Sequence, residues 1–455
     1  MLIKPVRLLH GHVRHQDRRT HPARNQKEGA NMRKTSLAII AGFILFVALF
    51  LPASTPAADK VLLGYAETLS GEHSKAGAQS SWGVKASVKW INDVQGGVNI
   101  GGKKVPLEYK LYDNESKKEG AISLIERSVT VDKADAIIAP YSAGLTMAGA
   151  PIAEKYRKVY LSHGGSSNRI FEQGFRYAVL LVTPASDFQV GALEMFHKAD
   201  PKAKAIALVF EDDEFARMAY GGTENHAKKL GYDIVFKRSY PNQVTDLTPV
   251  LSDLKASKPD LILGGGHFAD GQLFARQMAD LDINVKGFSL IVAVTLPAFY
   301  EALGAKAEGI AGPAQWELGV KYNPGEAKKA GMEWYGPTNE EWVKLVKGFS
   351  GAENPNYHAA EAGAAPLVYA KAVELANSVD SDKVREALNK LNLMTYFGGF
   401  KIDANTGLQT GHTMVTVQWQ DGKRVIVWPP EAATGKFYYP MPTFSDKAKG
   451  KKAIP

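Results

Sequence analysis

From Lys60 onward, apolar and polar positions along the chain follow two alternating rhythms. Short unbroken apolar runs, "KVLLGYA", "DAIIAPYSA" and "KVYLSHGG", read as strands buried on both faces, and "KVPLEYKLYDN" as a further strand. Between them, "SWGVKASVKWIND" sets Val84, Val88 and Ile91 at i, i+4 and i+7, one face of a helix. "EGAISLIERSVTVDKA" and "GLTMAGAPIAEKY" read as helices too. Repeated strand–helix–strand units predict a parallel sheet covered by helices on both faces. The pattern then restarts. "KAIALVFEDD", "YDIVFKRSY", "DLILGGGHF" and "VKGFSLIVA" are strands, separated by helices such as "EFARMAYGGTENHAKKLG" and "GQLFARQMADLD". This is a second α/β lobe of similar size. Helices resume at "TNEEWVKLVKGFS" and "YHAAEAGAAPLVYAKAVELANS". "HTMVTVQWQDGKRVIVWPP" is a hairpin turning at Asp421-Gly422, and the polar end "FSDKAKGKKAIP" is expected to lie loose.

Composition changes this picture in three places. A length of 455 residues fits two domains, and 45% hydrophobic with 22% charged residues fits a globular chain with a large core. The formal charge of +8 is concentrated at one end. Residues 1–58 hold nine Lys/Arg against two Asp/Glu, and the remaining 397 residues hold 46 against 45. A near-neutral body offers no electrostatic footprint for nucleic acid. The basic stretch precedes "MRKTSLAIIAGFILFVALFLPASTPAADK": a basic pair at Arg33-Lys34, an apolar run from Ser36 to Leu51, and small residues ending at Ala57-Ala58. That order is a cleavable signal peptide over 32–58, with Met32 as the start and 1–31 as an untranslated upstream extension. The chain has no cysteine, which excludes disulfides, thiolate chemistry and a lipidated N-terminal Cys. A soluble protein exported to a periplasm is expected.

Catalytic signatures are weak. There is no G-x-S-x-G elbow, no H-E-x-x-H and no phosphate-binding G-x-x-x-x-G-K-[ST] run, and Gly264-Gly265-Gly266 does not have dinucleotide spacing. Glu211-Asp212-Asp213 reads as a solvated helix start. Among the seven histidines of the mature part, no short His-x-His spacing or helical i, i+4 pair suggests a metal, so neither a metal nor a cofactor is expected. One stretch does carry chemistry. "LSHGGSSN" ends a strand with bare backbone and two hydroxyls, which suits either an ordinary helix N-cap or an anion site best matched to a carboxylate.

The order and spacing of these pieces resemble the type I periplasmic substrate-binding proteins of ABC transporters, in the leucine/isoleucine/valine-binding branch. The resemblance runs from "VLLGYAETLSGEHSKAGAQSSWGVKASVKWINDVQGG" and "YKLYDNES" through "IIAPYSAGLT", "LSHGGSSN", "IALVFEDDEF" and "LILGGGHFADGQLFARQMADL" to "QWQDGKRVIVWP". It implies an α/β fold of two doubly wound parallel-sheet lobes joined by three hinge crossovers. The lobes would be 59–181 plus 316–390, and 182–315 plus 391–430, with 431–455 as a tail. It also implies a binding protein without catalysis, which closes on one small molecule and docks as a monomer on an inner-membrane ABC permease. The other reading left open is a ligand-sensing module for a separate receptor. The resemblance places ligand contacts at Tyr141, Ser142 and Ala143, at Gly165 and Ser166, and at His267 and Phe268. It sets Phe215 over the ligand, Tyr357 in an apolar wall with Tyr141, Phe215 and Phe268, and His73, His163, His267 and His358 toward the cleft. Relatives hold a ligand ammonium with an acid in the segment that here reads "FSLIVAVTLP", residues 288–297, which has none. The expected ligand is therefore a carboxylate or amide rather than a free amino acid, unless Glu72 or Glu361 supplies the missing charge.

Overall fold

The computed structural model describes residues 59–351 and 354–450. The expected signal peptide, the upstream extension and the last five residues lie outside them.

Two sheets organise the chain. The first contains β1 (Val61–Glu67), β2 (Leu107–Asp113), β3 (Ala136–Ile138), β4 (Val159–Ser162) and β5 (Ala178–Leu180), all parallel, in the order β2-β1-β3-β4-β5. Every residue of β1 is buried, as a strand covered on both faces requires. The second sheet contains β6 (Ala205–Glu211), β7 (Asp233–Tyr240), β8 (Leu261–Gly265), β9 (Gly287–Leu290), β10 (Ala311–Ala314), β11 (Val415–Gln420) and β12 (Lys423–Trp428). Its order is β12-β11-β10-β9-β8-β6-β7, parallel except for the last two strands in sequence. These form the expected hairpin, and Asp421 and Gly422 both take the positive φ (51° and 74°) that its tight turn needs. Short strands at 98–105 and a small sheet joining 333–334 to 393–400 lie outside the two large sheets.

The chain crosses between the large sheets three times: after β5, after β10 and before β11. The crossings are tied together. The Gln315 side chain accepts from the Thr183 amide (3.0 Å) and donates to the Thr183 carbonyl (3.1 Å), and the Thr183 hydroxyl meets His412 Nδ1 at 2.9 Å.

Five helices carry the cleft: α1 (Ser74–Asp93), α2 (Ala143–Lys155), α3 (Glu214–Lys229), α4 (Phe268–Asp280) and α5 (Tyr357–Ala376). Helices α1 and α5 pack closely because Gly83 and Gly363 face each other. A Cβ on Gly83 would sit 1.9 Å from the Ala359 carbonyl oxygen. One expectation fails at the C-terminal end, where the chain is packed rather than loose. Thr443 caps a short helix, Phe444–Ala448, and Met441 and Phe444 are buried. Met441 lies just ahead of the cap and Phe444 opens the helix, and the burial of both seats this end of the chain.

Candidate functional site

The amino ends of all five helices converge where strands of both sheets end, so their first residues and caps supply the site. His73 precedes α1 and Ser142 precedes α2. Asp213 caps α3, its carboxylate accepting from the Ala216 amide at 2.6 Å. His267 caps α4, and its amide donates to Asp270 at 2.7 Å. Tyr357 and His358 open α5. Between the two sheets lies a cavity of about 490 Å³. Its walls include Glu72, His73, Lys75, Tyr141 and His358 from one side, and Glu211, Val244, His267, Phe268 and Val292 from the other. A second, much smaller space of about 10 Å³, room for roughly one water, is bounded by Tyr141, His163, Ser166, Phe215, Tyr357 and Glu361.

Of the residues expected to touch a ligand, Tyr141, Ser166, Phe215, His267, Phe268, Tyr357 and His358 border one or both spaces. Ser142, Ala143 and Gly165 border neither. Ser142 is buried, with its hydroxyl 3.4 Å from His73 Nε2, and Ala143 is buried at the start of α2. The glycines of "HGGSSN" have a packing reason: a Cβ on Gly164 would sit 2.5 Å from the Tyr141 ring, and one on Gly165 would sit 2.2 Å from the Thr146 hydroxyl. In "GGGHF", a Cβ on Gly266 would sit 2.1 Å from Glu211 Oε2. The close approach made there is to the neighbouring strand β6.

Two imidazoles hold the chemistry together. Tyr141 Oη meets His267 Nδ1 at 2.8 Å, and His267 Nε2 meets Asp213 at 2.9 Å, so one ring joins the two sides of the cavity. Burial works against charge on His267, but Asp213 and the nearby Glu211 and Asp270 overcome it and lift it to about 9. Deeper in, His163 lies 3.0 Å from Glu67 and 3.8 Å from Glu361, all three fully or nearly fully buried. Burial again opposes the charge, yet these two carboxyls raise His163 to about 9. Burial outweighs the His163 charge at Glu361, which is pushed up to about 7. His358 is driven well below its usual range by burial and by the other imidazoles, and neither of its ring nitrogens has a hydrogen-bond partner. A neutral, unpartnered imidazole in a cavity wall is suited to meet a solute.

Glu211 and Asp213 are not the solvated helix start that "EDD" suggested. Glu211 is 2% exposed, burial first and Asp270 next push it up to about 8, and its Oε2 has no partner. Burial would raise Asp213 too, but the His267 charge and hydrogen bond bring it below the usual carboxylate range. Nothing in the local sequence separates a buried acid from an exposed one here. The signal is topological: β6 and β8 are neighbours, so residues 211–213 and 267 emerge side by side. Val292, in the acid-free segment, lines both spaces at φ 59°, a strained conformation for a β-branched residue. Among the described residues, Glu211, Asp213 and His267 are also the one group of three placed to hold a metal ion.

The two sides are latched at the rim. Asn242 and Gln243 donate to Glu72 at 3.2 and 3.1 Å, and Ser167 and Arg169 donate to Glu214 at 2.8 and 3.3 Å. The cavity therefore sits in a closed cleft, the arrangement of a protein that encloses a solute. Comparisons with known proteins agree. The family model described as "Periplasmic binding protein" matches residues 60–424. A Leu/Ile/Val-binding protein homolog 7 from Brucella suis is 26% identical over 408 residues, covering 87% of this chain and 98% of the relative. A leucine-binding protein from Thermotoga maritima has the same fold, with a TM-score of 0.68 at 19% identity over 82% of this chain and 99% of its own. So does an ABC transporter solute-binding protein from R. palustris in complex with 4-hydroxybenzoate, with a TM-score of 0.67 at 20% identity over 81% of this chain and 96% of its own. Among the described residues no helix is long and apolar enough to cross a membrane. The relatives and solved structures that it resembles are solute-binding proteins rather than enzymes, and the chain belongs to the periplasmic binding protein family.

Proposed function

We propose that this protein is exported by its signal peptide and captures one small organic carboxylate or amide between two lobes, 59–181 plus 316–390 and 182–315 plus 391–430. The lobes close about their three crossings, and the closed monomer delivers the solute to an ABC permease in the inner membrane. The observation that carries this reading is the 490 Å³ cavity, walled from both sides and bounded by strand ends and helix amino ends. Aromatic rings supply the apolar wall, with Tyr141 and Phe268 in the main cavity and Phe215 and Tyr357 around the smaller space. Ser166 and the neutral His358 offer hydrogen bonds to a polar end. Segment 288–297 contributes only Val292 and Leu296 to the main cavity, so it has no acid for a ligand ammonium; the acids that line the cavity are Glu72, Glu211 and Asp270.

The test is a melting-temperature panel of leucine, isoleucine and valine against aromatic and aliphatic carboxylates and the matching amides. A solute at a hundred times its Kd stabilises the folded chain by about 2.7 kcal/mol, a visible shift. Carboxylates or amides should give the largest shifts. Larger shifts from the branched-chain amino acids would overturn the ligand class while leaving solute capture intact.

A further inference from the structure

The second-sheet wall of the cavity is crowded with carboxyls. Glu211, Asp213 and Asp270 surround a single imidazole, His267, and Glu72 approaches the same place through Asn242, which donates to Glu72 and to Glu211. Glu211 Oε2 is buried without a partner, although a buried carboxyl oxygen left bare is costly. Asp270 is already committed, to Tyr240 Oη at 2.6 Å and to the His267 amide. The other three residues each offer one donor atom, and these atoms lie within 4.8 Å of one another.

Each of the three is also held from behind. Asn242 donates to Glu211 Oε1 at 3.0 Å, the Ala216 amide donates to Asp213 Oδ1 at 2.6 Å, and Tyr141 Oη meets His267 Nδ1 at 2.8 Å. The atoms left over are Glu211 Oε2, Asp213 Oδ2 and His267 Nε2, the last two now joined by a hydrogen bond of 2.9 Å. Clustered donors that are each held from behind by a hydrogen bond are how proteins build cation sites.

We propose that Glu211, Asp213 and His267 form a site for a divalent transition-metal ion in the cavity wall, with its open coordination positions turned to the captured solute. One imidazole and two carboxylates suit Zn²⁺ or Mn²⁺, and three protein donors leave at least one position for an outside ligand. The ion takes the place of the proton between Asp213 and His267 and gives Glu211 Oε2 its partner. It also adds positive charge to this wall, where a solute carboxylate can bind. The solute-facing role rests on the solute-capture reading, and the metal site itself does not.

The test uses tag-free, chelator-stripped full chain titrated with Zn²⁺ by calorimetry, and with Co²⁺ followed by its visible absorption. One ion per chain is expected, with affinity at least tenfold weaker in both Glu211→Gln and Asp213→Asn. Circular dichroism and melting of each variant establish that it folds, and the Co²⁺ spectrum of the unaltered chain reports imidazole and carboxylate coordination without any substitution. Absence of binding to the unaltered chain, or unchanged binding in both variants, overturns the site. Melting shifts by benzoate and benzamide, run with and without EDTA, separate the two readings. A benzoate shift lost in EDTA supports the solute-facing role, and one that persists unchanged overturns that role while solute capture stands. Zn²⁺ binding abolished by the variants, in a chain that none of the organic acids, amides or amino acids shifts, supports the metal site and counts against solute capture alone.

Discussion

His163 is the residue whose neighbours make the sharpest demand. It is fully buried between Glu67 and Glu361, and Glu67 is further fixed by the Tyr65 hydroxyl at 2.6 Å and the Tyr141 amide at 3.1 Å. Its folded value of about 9 lies above the ordinary 6.5, so the folded chain binds an extra proton between those values. The resulting stability is fully present below about pH 6.5 and is lost as pH rises through about 9. In His163→Asn that contribution is missing at every pH. The stability gap between wild type and variant, read from urea melts, should therefore be largest near pH 6 and shrink by roughly 1–3 kcal/mol toward pH 9. A gap that widens with pH would mean the ring is neutral. Ser166, 2% exposed at the inner space, makes a different kind of contribution. Ser166→Ala should weaken capture of the best carboxylate by about 1.5–3 kcal/mol, measured by calorimetry, with the melting temperature of the solute-free protein nearly unchanged.

At the scale of elements, the contact between α1 and α5 sets how closely the first lobe packs. Gly83→Ala places a methyl against the Ala359 carbonyl, with backbone on both sides and no flexible side chain to give way. The cost should be about 1–3 kcal/mol in a thermal or urea melt, with solute affinity less affected than stability. Strands β5 and β10, of three and four residues, were too short to be read. The other strands of both large sheets and the cleft helices were legible because each has a strong rhythm of its own: the buried run of β1, the i, i+4, i+7 face of α1, and the Asp-Gly turn between β11 and β12. The small sheet joining Glu333-Trp334 to Leu393–Thr395 and Gly398–Phe400 was not, since strands of two and three residues are too short to show a period. Within the site, Tyr141, His267, Phe268 and His358 were placed by the resemblance to binding proteins, and all four border the main cavity. Glu211 and Asp213 were not. Their burial follows from the lateral order of β6 beside β8, and lateral order is a relation between distant segments that no local pattern records. The glycines of "HGGSSN" looked like room for a ligand, but a glycine accommodating Tyr141 or Thr146 is spelled the same way.

For the molecule as a whole, closure is fastened at the rim by few bonds. Glu214 takes hydrogen bonds from Ser167 and Arg169 across the cleft, the latter from a largely exposed guanidinium. Such contacts contribute about 1–2 kcal/mol together, less than a well-held solute. Glu214→Ala should therefore weaken solute binding about tenfold through faster release. Small-angle scattering should show a larger radius of gyration than wild type at subsaturating solute, and the same radius at saturation. Equal radii at every concentration would mean that Glu214 does not fasten the closed form. A further consequence comes from the threading of the second sheet. Strand β10 pairs on one edge with β9, close behind it in the chain, and on the other with β11, where Ala311 faces Gln418. Until that late segment arrives, the β10 edge has unpaired backbone groups and no cover, while the five strands of the first sheet are all in place by Leu180. Neither half of the molecule is therefore complete in a contiguous piece of chain. The first sheet has all its strands by Leu180 but waits for α5 to pack on α1, and the second waits for β11 and β12. A chain cut before Val415 would leave the β10 edge bare and the second sheet unfinished.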